Sequence, residues 1–514
     1  MTKYFDTPEA VVYHGNCLDE LKNLADNSVD AIVTDPPYGL GNADPDYILS
    51  ALKMWIDGDR EHIPAGKGFM GKQWDAFVPP PAVWDECFRV LKPGGHILVF
   101  AGTRTQDLMG LSVRMAGFEI RDSISWIYGS GFPKSLDISK ALDKMAGAER
   151  EVLGRNPNSR ENATKENTLY ESGTVGKTDF ITAPATDEAK KWEGWGTALK
   201  PALEPIIVGR KPLSEKNVAS NVLKWGTGGI NIDGSRIGRA EGDVSVAGSR
   251  TATFGTQETI SGGDGSGGWE QNSGGRFPSN LIFSHTEECV EIGVLEESYA
   301  INKTEEWTGF GQKERPDYES SEQKVSTVLY ECVDGCPVKE LDEQSGILKS
   351  GSMDSITKGY DPETFNTFGK QYARRVVHKG DSGGASRFFY VAKANKKDRN
   401  EGLEGLEAKG KVYNGTSEDS AGKAPGSVED KFSTKPQTNF HPTVKPTSLM
   451  EYLVALVCPE GGVVLDPFAG SGSTGKAAIR KGVKFIGVEL TDEYLPIIKG
   501  RLEHEINKKN GSLF

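Results

Sequence analysis

The chain lacks any long hydrophobic run: nowhere in its 514 residues does an apolar stretch approach the roughly 18 residues that mark a membrane helix. The opening MTKYFDTPEAVVYHG has no apolar signal core, so a cytoplasmic protein without a membrane partner is expected. Cysteine is scarce: six, widely scattered and without a secretory context, which excludes a disulfide scaffold and points to a reducing compartment. Positive charge is also in deficit, 60 Lys and Arg against 73 Asp and Glu, for a net charge of -13. That balance excludes a nonspecific, histone-like binder of polyanions, but not an enzyme whose contacting face alone is basic. Bases do cluster locally: Lys370, Arg374, Arg375, Lys379, Arg387, Lys393, Lys396, Lys397 and Arg399 face only Asp381 and Asp398. A solvated loop is the other reading of such a run.

Glycine, with 62 residues, is abundant and concentrated in the middle third, where long loops are expected. The length calls for a catalytic core plus added modules. Near the start, VDAIVT over 29–34 reads as a buried strand stopping at Asp35. Helices over 48–56, 84–91 and 106–116 and strands over 96–100 and 119–128 follow. A further strand is expected over 203–209. At the other end, helices over 447–458, 474–481 and 492–506 enclose strands over 463–466 and 484–489. Strand and helix alternate at both ends, as in an α/β protein with a doubly wound, mostly parallel sheet. Low-complexity breaks at 261–268 and 402–439 look like connectors, and no internal repeat is visible. The expected organisation is core at 1–135, an insertion at 136–194, a core strand at 195–213, a large loop-rich insertion at 214–438, and core again at 439–514.

Asp35-Pro36-Pro37-Tyr38 directly follows the first buried strand. Two prolines stiffen the turn and cannot continue the strand, and carboxyl ends of parallel strands are where such sheets bind ligands. A flipped nucleobase needs a π-face and acceptors for its exocyclic amine. Tyr38 offers the face, while the Asp35 carboxylate and the Pro36 carbonyl offer the acceptors. An ordinary Pro-rich turn is the alternative.

Asp466-Pro467-Phe468-Ala469-Gly470-Ser471-Gly472-Ser473-Thr474-Gly475 joins a strand to a helix. Its glycines allow close backbone approach, and the helix N-terminus presents unpaired N–H groups to a carboxylate. Glu489 ends the next strand, where an acid holds ribose hydroxyls in nucleoside-binding sheets. Gly470 through Lys476 also fits the G-x-x-x-x-G-K loop of nucleoside triphosphatases, although Ala477 replaces the magnesium-binding Ser or Thr.

Together the two motifs resemble the DNA amino-methyltransferases acting on adenine N6 or cytosine N4. The order, target-amine motif first and cofactor motif last, is that of the so-called beta class. Segments 69–75, 128–135, 226–233 and 441–446 look like those of phage and prophage site-specific methylases. The resemblance implies a seven-stranded, Rossmann-like core, S-adenosyl-L-methionine as cofactor and double-stranded DNA as partner, read by the large insertion as target-recognition region. It implies catalytic roles for Asp35, Pro36, Pro37 and Tyr38. It places Asn16, Asp35, Thr443, Lys445, Asp466, Phe468, Ala469, Gly470, Gly472 and Glu489 in the cofactor pocket, Thr443 and Lys445 near its methionine end. The family usually has Gly-Asp before the first motif, and here it is Gly15-Asn16, so that contact departs from the pattern. Asp at the head of the base motif favours adenine N6; cytosine N4 methylation and a catalytically silent DNA-binding subunit are the alternatives. A dimer is compatible with the sequence.

His285-x3-Cys289 and Cys332-x3-Cys336 pair four soft donors in two short clusters, a layout of structural zinc sites. Isolated small buried residues would look the same. Cys17, Cys87 and Cys458 fall on expected core elements and read as packing.

Overall fold

The computed structural model describes residues 3–41, 44–66, 75–129, 131, 135–155, 180–237, 276–286, 288–302, 320–349, 353–360, 371–378, 382–393, 396–408 and 438–511. Residues 69–74, 130, 132–134, 261–268, 370, 379, 381 and 409–437, singled out above within motifs, connectors or the basic cluster, lie outside them.

Residues 1–129 and 203–514 form one compact unit, built on a ten-stranded sheet. Its strands are β1 (Lys3–Asp6), β2 (Ala10–His14), β3 (Val29–Thr34), β4 (Leu91–Phe100), β5 (Glu119–Ile127), β6 (Leu203–Arg210), β7 (Leu281–His285), β8 (Tyr390–Lys393), β9 (Val463–Asp466) and β10 (Lys484–Glu489). Their spatial order is β1-β2-β10-β9-β3-β4-β6-β5-β7-β8. Only the edge strand β1 and the inserted strand β6 run against the rest. The mostly parallel, doubly wound sheet follows the sequence expectation, and seven neighbouring strands from β2 to β5 come from the two ends of the chain and 203–210. The other three are additions. β1 forms an antiparallel pair with β2, while β7 and β8, left inside the large insertion by the sequence reading, extend the opposite edge in parallel with β5.

Alternation along the strands divides the core in two. Ala31, Val33, Leu98, Phe100, Val464 and Phe485 point to one face, packing with helices Thr447–Val457, Ser473–Arg480 and Leu495–Lys509. Ile32, Ile97, Val99 and Leu465 point to the other, against helices Pro45–Ile56, Pro81–Val90 and Gln106–Met115. Burial on both faces explains why these strands read as continuous apolar runs. β4 begins earlier than expected. Its first residue pairs Val29 with Leu91, then Lys92–Gly95 bulge out before Ala31 meets His96. Gly94, at φ +79°, makes that bulge possible.

Residues 130–202 form a second compact unit, with helices Ile138–Met145 and Asp187–Lys191 and an antiparallel pair, Val152–Arg155 with Phe180–Thr182. The buried Asp143 carboxylate organises it, accepting from Arg150, from the Thr186 hydroxyl and from the Ala185 and Thr186 amides. Among the described residues no helix is long and apolar enough to cross a membrane.

Candidate active site

Because β2, β10, β9, β3 and β4 are consecutive and parallel, their carboxyl ends open on one edge of the sheet. That edge carries Asn16 just after β2, Glu489 at the end of β10, the glycine loop after β9 and Asp35–Tyr38 after β3. The two motifs, more than 400 residues apart in sequence, leave neighbouring strands: Leu465 pairs with Ile32.

Asp466 ties their roots together. Its buried carboxylate accepts from Thr34 Oγ1 (2.6 Å) at the tip of β3, from Thr474 Oγ1 (2.6 Å) and from the Phe468 amide (3.1 Å). Burial pushes its pKa up to about 6, although these donors oppose the shift. The lone pairs of this residue are thus spent on bracing the two loops.

Asp35 lies in a cluster of charge. Its Oδ2 accepts from Lys445 Nζ at 2.6 Å and its Oδ1 from the Tyr38 hydroxyl at 2.8 Å. Glu204, near the start of β6, accepts from the same Tyr38 hydroxyl at 2.8 Å and lies 3.3 Å from Lys445 Nζ. It also hydrogen-bonds Tyr128. Burial raises the Asp35 pKa above the usual carboxylate range, with the Lys445 charge working against it and the Glu204 charge with it. Burial disfavours the Lys445 charge, but Asp35 and Glu204 outweigh it and raise its pKa to about 12. The ammonium also lies 5.5 Å from the Tyr38 ring centre and 5.1 Å from that of Phe100. Lys445 reaches both motifs, since its carbonyl accepts from Ser473 Oγ at the start of the glycine-loop helix. Downstream, Thr105 Oγ1 donates to the Tyr38 carbonyl and the Gly39 amide to Asp75, fixing the turn.

In the glycine loop, Gly470 and Gly472 have φ of +55° and +74°. A Cβ on Gly470 would meet His441 Nε2 at 3.0 Å. The Gly470 amide donates to Glu489 Oε2 and the Thr491 amide to Oε1, both at 2.8 Å. Burial nonetheless raises the Glu489 pKa. Phe468 leans on Trp84, with ring centres 6.4 Å apart, and Ala469 is buried. Asn16 caps helix Cys17–Leu21 by accepting from the Leu18 amide, and Gly15 donates to the Glu489 carbonyl. Thr443 is exposed, its amide directed to His441 Nδ1.

Lys476, the residue that would touch phosphate in a triphosphatase loop, is fully buried. It faces Asp398 and Glu401 at 2.8 Å and Glu505 at 3.4 Å. A lysine held by three carboxylates is not available to a nucleotide, so that reading is set aside. Two members of the basic cluster also turn inward: Arg399 donates to the Asn439 and His441 carbonyls, and Arg387 to Gly384 while stacking on Phe388 at 4.2 Å. Sequence reasoning missed Glu204. The one available signal was an acid at the head of an otherwise apolar strand, LEPIIVGR. Elsewhere in the unit, His285, Cys289, Cys332 and Cys336 converge, with all four donor atoms within 4.8 Å of one another.

The two motifs thus meet at one parallel sheet edge, where a diproline carboxylate turn, a glycine loop and a buried strand-end acid stand side by side. The family model of the N6_N4_Mtase DNA methylases matches residues 29–149 and 352–500, more than half of the chain, and the chain belongs to that family. Among curated relatives, it is 41% identical over 85 residues to the DNA adenine methyltransferase YhdJ of Escherichia coli (strain K12), covering 16% of this chain and 29% of the relative. It is 25% identical over 236 residues to the type II methyltransferase M.HindIII of Haemophilus influenzae, covering 43% of this chain and 64% of that one. With the type II methyltransferase M2.DpnII of Streptococcus pneumoniae, 49% of 65 residues are identical, 13% of this chain and 24% of the relative. The chain therefore spans less than two thirds of the length of each of these relatives. Similar solved structures include the PvuII DNA methyltransferase (cytosine-N4-specific), at 10% identity and TM-score 0.35, covering 99% of this chain and 95% of that one. The M1.HpyAVI–SAM complex is similar at 12% identity and TM-score 0.31, covering 96% and 99%.

Proposed function

We propose that this DNA methylase transfers a methyl group from S-adenosyl-L-methionine to the N6 amine of adenine in double-stranded DNA, in a site-specific manner. The observation that carries the reading is the placement of Asp35 and the glycine loop at the tips of adjacent parallel strands, braced by Asp466 and bridged by Lys445.

The residues present fit the cofactor. Gly470 and Gly472 supply the positive-φ backbone of a close-approach loop, where a side chain on Gly470 would strike His441. The Glu489 carboxylate, buried and accepting from the Gly470 and Thr491 amides, from the Leu490 amide and from the Thr491 hydroxyl, can exchange one of these donors for a ribose hydroxyl. Asn16 at the next strand tip is the candidate for the adenine ring, Phe468 and Ala469 for its flank, and Thr443 for the methionine end. S-adenosylmethionine, when bound, supplies an electrophilic methyl group and needs no metal.

The chain's own residues handle the base. Extruding it from the duplex costs a few kcal/mol of stacking. Asp35 and the Pro36 carbonyl accept the two N–H bonds of the amine, and Tyr38 offers its ring face. In the free protein each Asp35 oxygen already accepts one hydrogen bond, and an incoming amine competes with those donors for the carboxylate's lone pairs. Tyr38 is the one that yields: its single hydroxyl proton can serve only one acceptor at a time, and Glu204 is the second. Lys445 stays on the other oxygen, and its charge favours the ionised, accepting form of Asp35. Catalysis is then mainly positioning and electrostatics. Residues 214–438 supply the target-recognition surface in this reading.

Incubating DNA with isotopically labelled cofactor and analysing its nucleosides by mass spectrometry tests the assignment. Labelled N6-methyladenine is expected. Labelled N4-methylcytosine would move the substrate to cytosine, and unlabelled DNA would reduce the chain to a silent DNA-binding subunit.

A further inference from the structure

We propose that His285, Cys289, Cys332 and Cys336 hold one structural zinc ion that fastens the base of a long hairpin, and the helix after it, to the edge of the main sheet. The inference does not depend on the methyl-transfer reading, since a four-ligand site has no open position for chemistry.

The four donors arrive from the ends of four elements. His285 is the last residue of β7. Cys289 immediately precedes the strand Val290–Asn302, and Cys332 immediately follows its antiparallel partner Ser320–Glu331, with Val290 paired to Glu331. Cys336 is the N-cap of helix Pro337–Ser345. Their donor atoms all lie within 4.8 Å of one another. His285 Nδ1 is 3.2 Å from Cys332 Sγ and 3.5 Å from Cys336 Sγ. A tetrahedral zinc with bonds of about 2.3 Å to sulfur and about 2.0 Å to nitrogen sets that edge at about 3.5 Å. The donors therefore already stand at nearly the spacing the ion requires. Three thiols and one imidazole are a common set for structural zinc, and softness disfavours magnesium or calcium.

The surroundings are those of a ligand cage. Thr286 Oγ1 lies 3.2 Å from Cys289 Sγ, and the Val333 amide donates to the same sulfur. Both ligand pairs sit on tight turns, closed by Cys289 N to Thr286 O and Cys336 N to Val333 O, and Gly335 takes φ +76° in the second. The apolar cluster here is small: Phe283, Cys289, Cys336 and Val338 are its buried members. A core of that size stabilises little by itself, and metal cross-links commonly make up the difference in such places. None of the three cysteines is in a disulfide.

The test begins with the full-length chain, dialysed against metal-free buffer and assayed for metal by inductively coupled plasma mass spectrometry. One zinc per chain is expected, and its absence, or a different metal, would overturn the proposal. Titration with an organic mercurial should release the zinc in step with three thiols; release uncoupled from thiol modification would contradict it. Cys332→Ser and Cys336→Ser should lose the metal, while Cys87→Ser and Cys458→Ser keep it, and retention by the first pair would also overturn the assignment. Should the first pair fail to fold, the wild-type chain still decides. After chelation, hydrogen exchange is expected to rise over 285–345 and stay unchanged over 463–489; an unchanged 285–345 would exclude the fastening role.

Discussion

At the scale of single residues, the site turns on which donors hold Asp35. Burial raises its pKa and the Lys445 charge lowers it. Replacing Lys445 by Met therefore raises it further, so the ionised, hydrogen-bond-accepting form appears only at higher pH. The acidic limb of the pH–kcat profile is expected to move to higher pH in Lys445→Met, measured with saturating cofactor and DNA; an unmoved limb would detach Lys445 from Asp35. Glu204 shares Tyr38 and Lys445 with Asp35, and its charge also raises the Asp35 pKa. Glu204→Gln should lower kcat by about tenfold with little change in cofactor KM, and its effect should not add to that of Tyr38→Phe, as a double-mutant cycle would show. Asp35, Pro36 and Tyr38 were legible because a carboxylate, two prolines and an aromatic adjoin one another after an apolar strand. Glu204 was not, because a lone acid near the start of a strand looks the same whether it faces solvent or a buried lysine. Lys445 was legible as a site residue, but its partner was not: an ammonium's direction depends on loops joined only in the folded state.

Elements hold these residues in place, and Asp466 is their junction. Its pKa near 6 lies above the ordinary value of 3.8. For an acid with a raised pKa the folded state binds the extra proton, so its contribution to stability is greatest at low pH and declines as pH rises from about 4 to about 6. Asp466→Asn removes this decline. The difference in Tm, variant minus wild type, is thus expected to become more favourable to the variant across that range; a difference independent of pH would contradict it. Gly470→Ala places a Cβ both at positive φ and against His441. A loss of about 1–2 kcal/mol in stability is expected from the backbone alone, with weaker cofactor binding by calorimetry. The central strands β3, β9 and β10 were readable as apolar runs bounded by turns. β2, β7 and β8 were not, since AVVYH, LIFSH and YVAK become strands by pairing with a sheet whose position the local sequence does not encode.

For the whole molecule, the arrangement of the chain in the sheet matters most. β9 and β10, contributed by the last 76 residues from position 439, lie between β2 and β3 from the first 34, so neither end can complete the site alone. Residues 130–202, by contrast, leave and re-enter the sheet at paired positions, since Ile127 faces Leu203 across β5 and β6. Replacing 130–202 by a short Gly-Ser turn should leave the thermal transition of the remaining unit within a few degrees by circular dichroism, whereas removing 439–514 should abolish it. The doubly wound order was legible from the alternation of strand and helix at both ends. The separate unit at 130–202 was only approximately so, because its limits are set by contacts, not by composition. The account as a whole is tested most directly by Asp35→Ala, assayed side by side for cofactor affinity and for single-turnover methyl transfer to DNA. It predicts wild-type affinity with transfer lost; transfer that survives the substitution would contradict it.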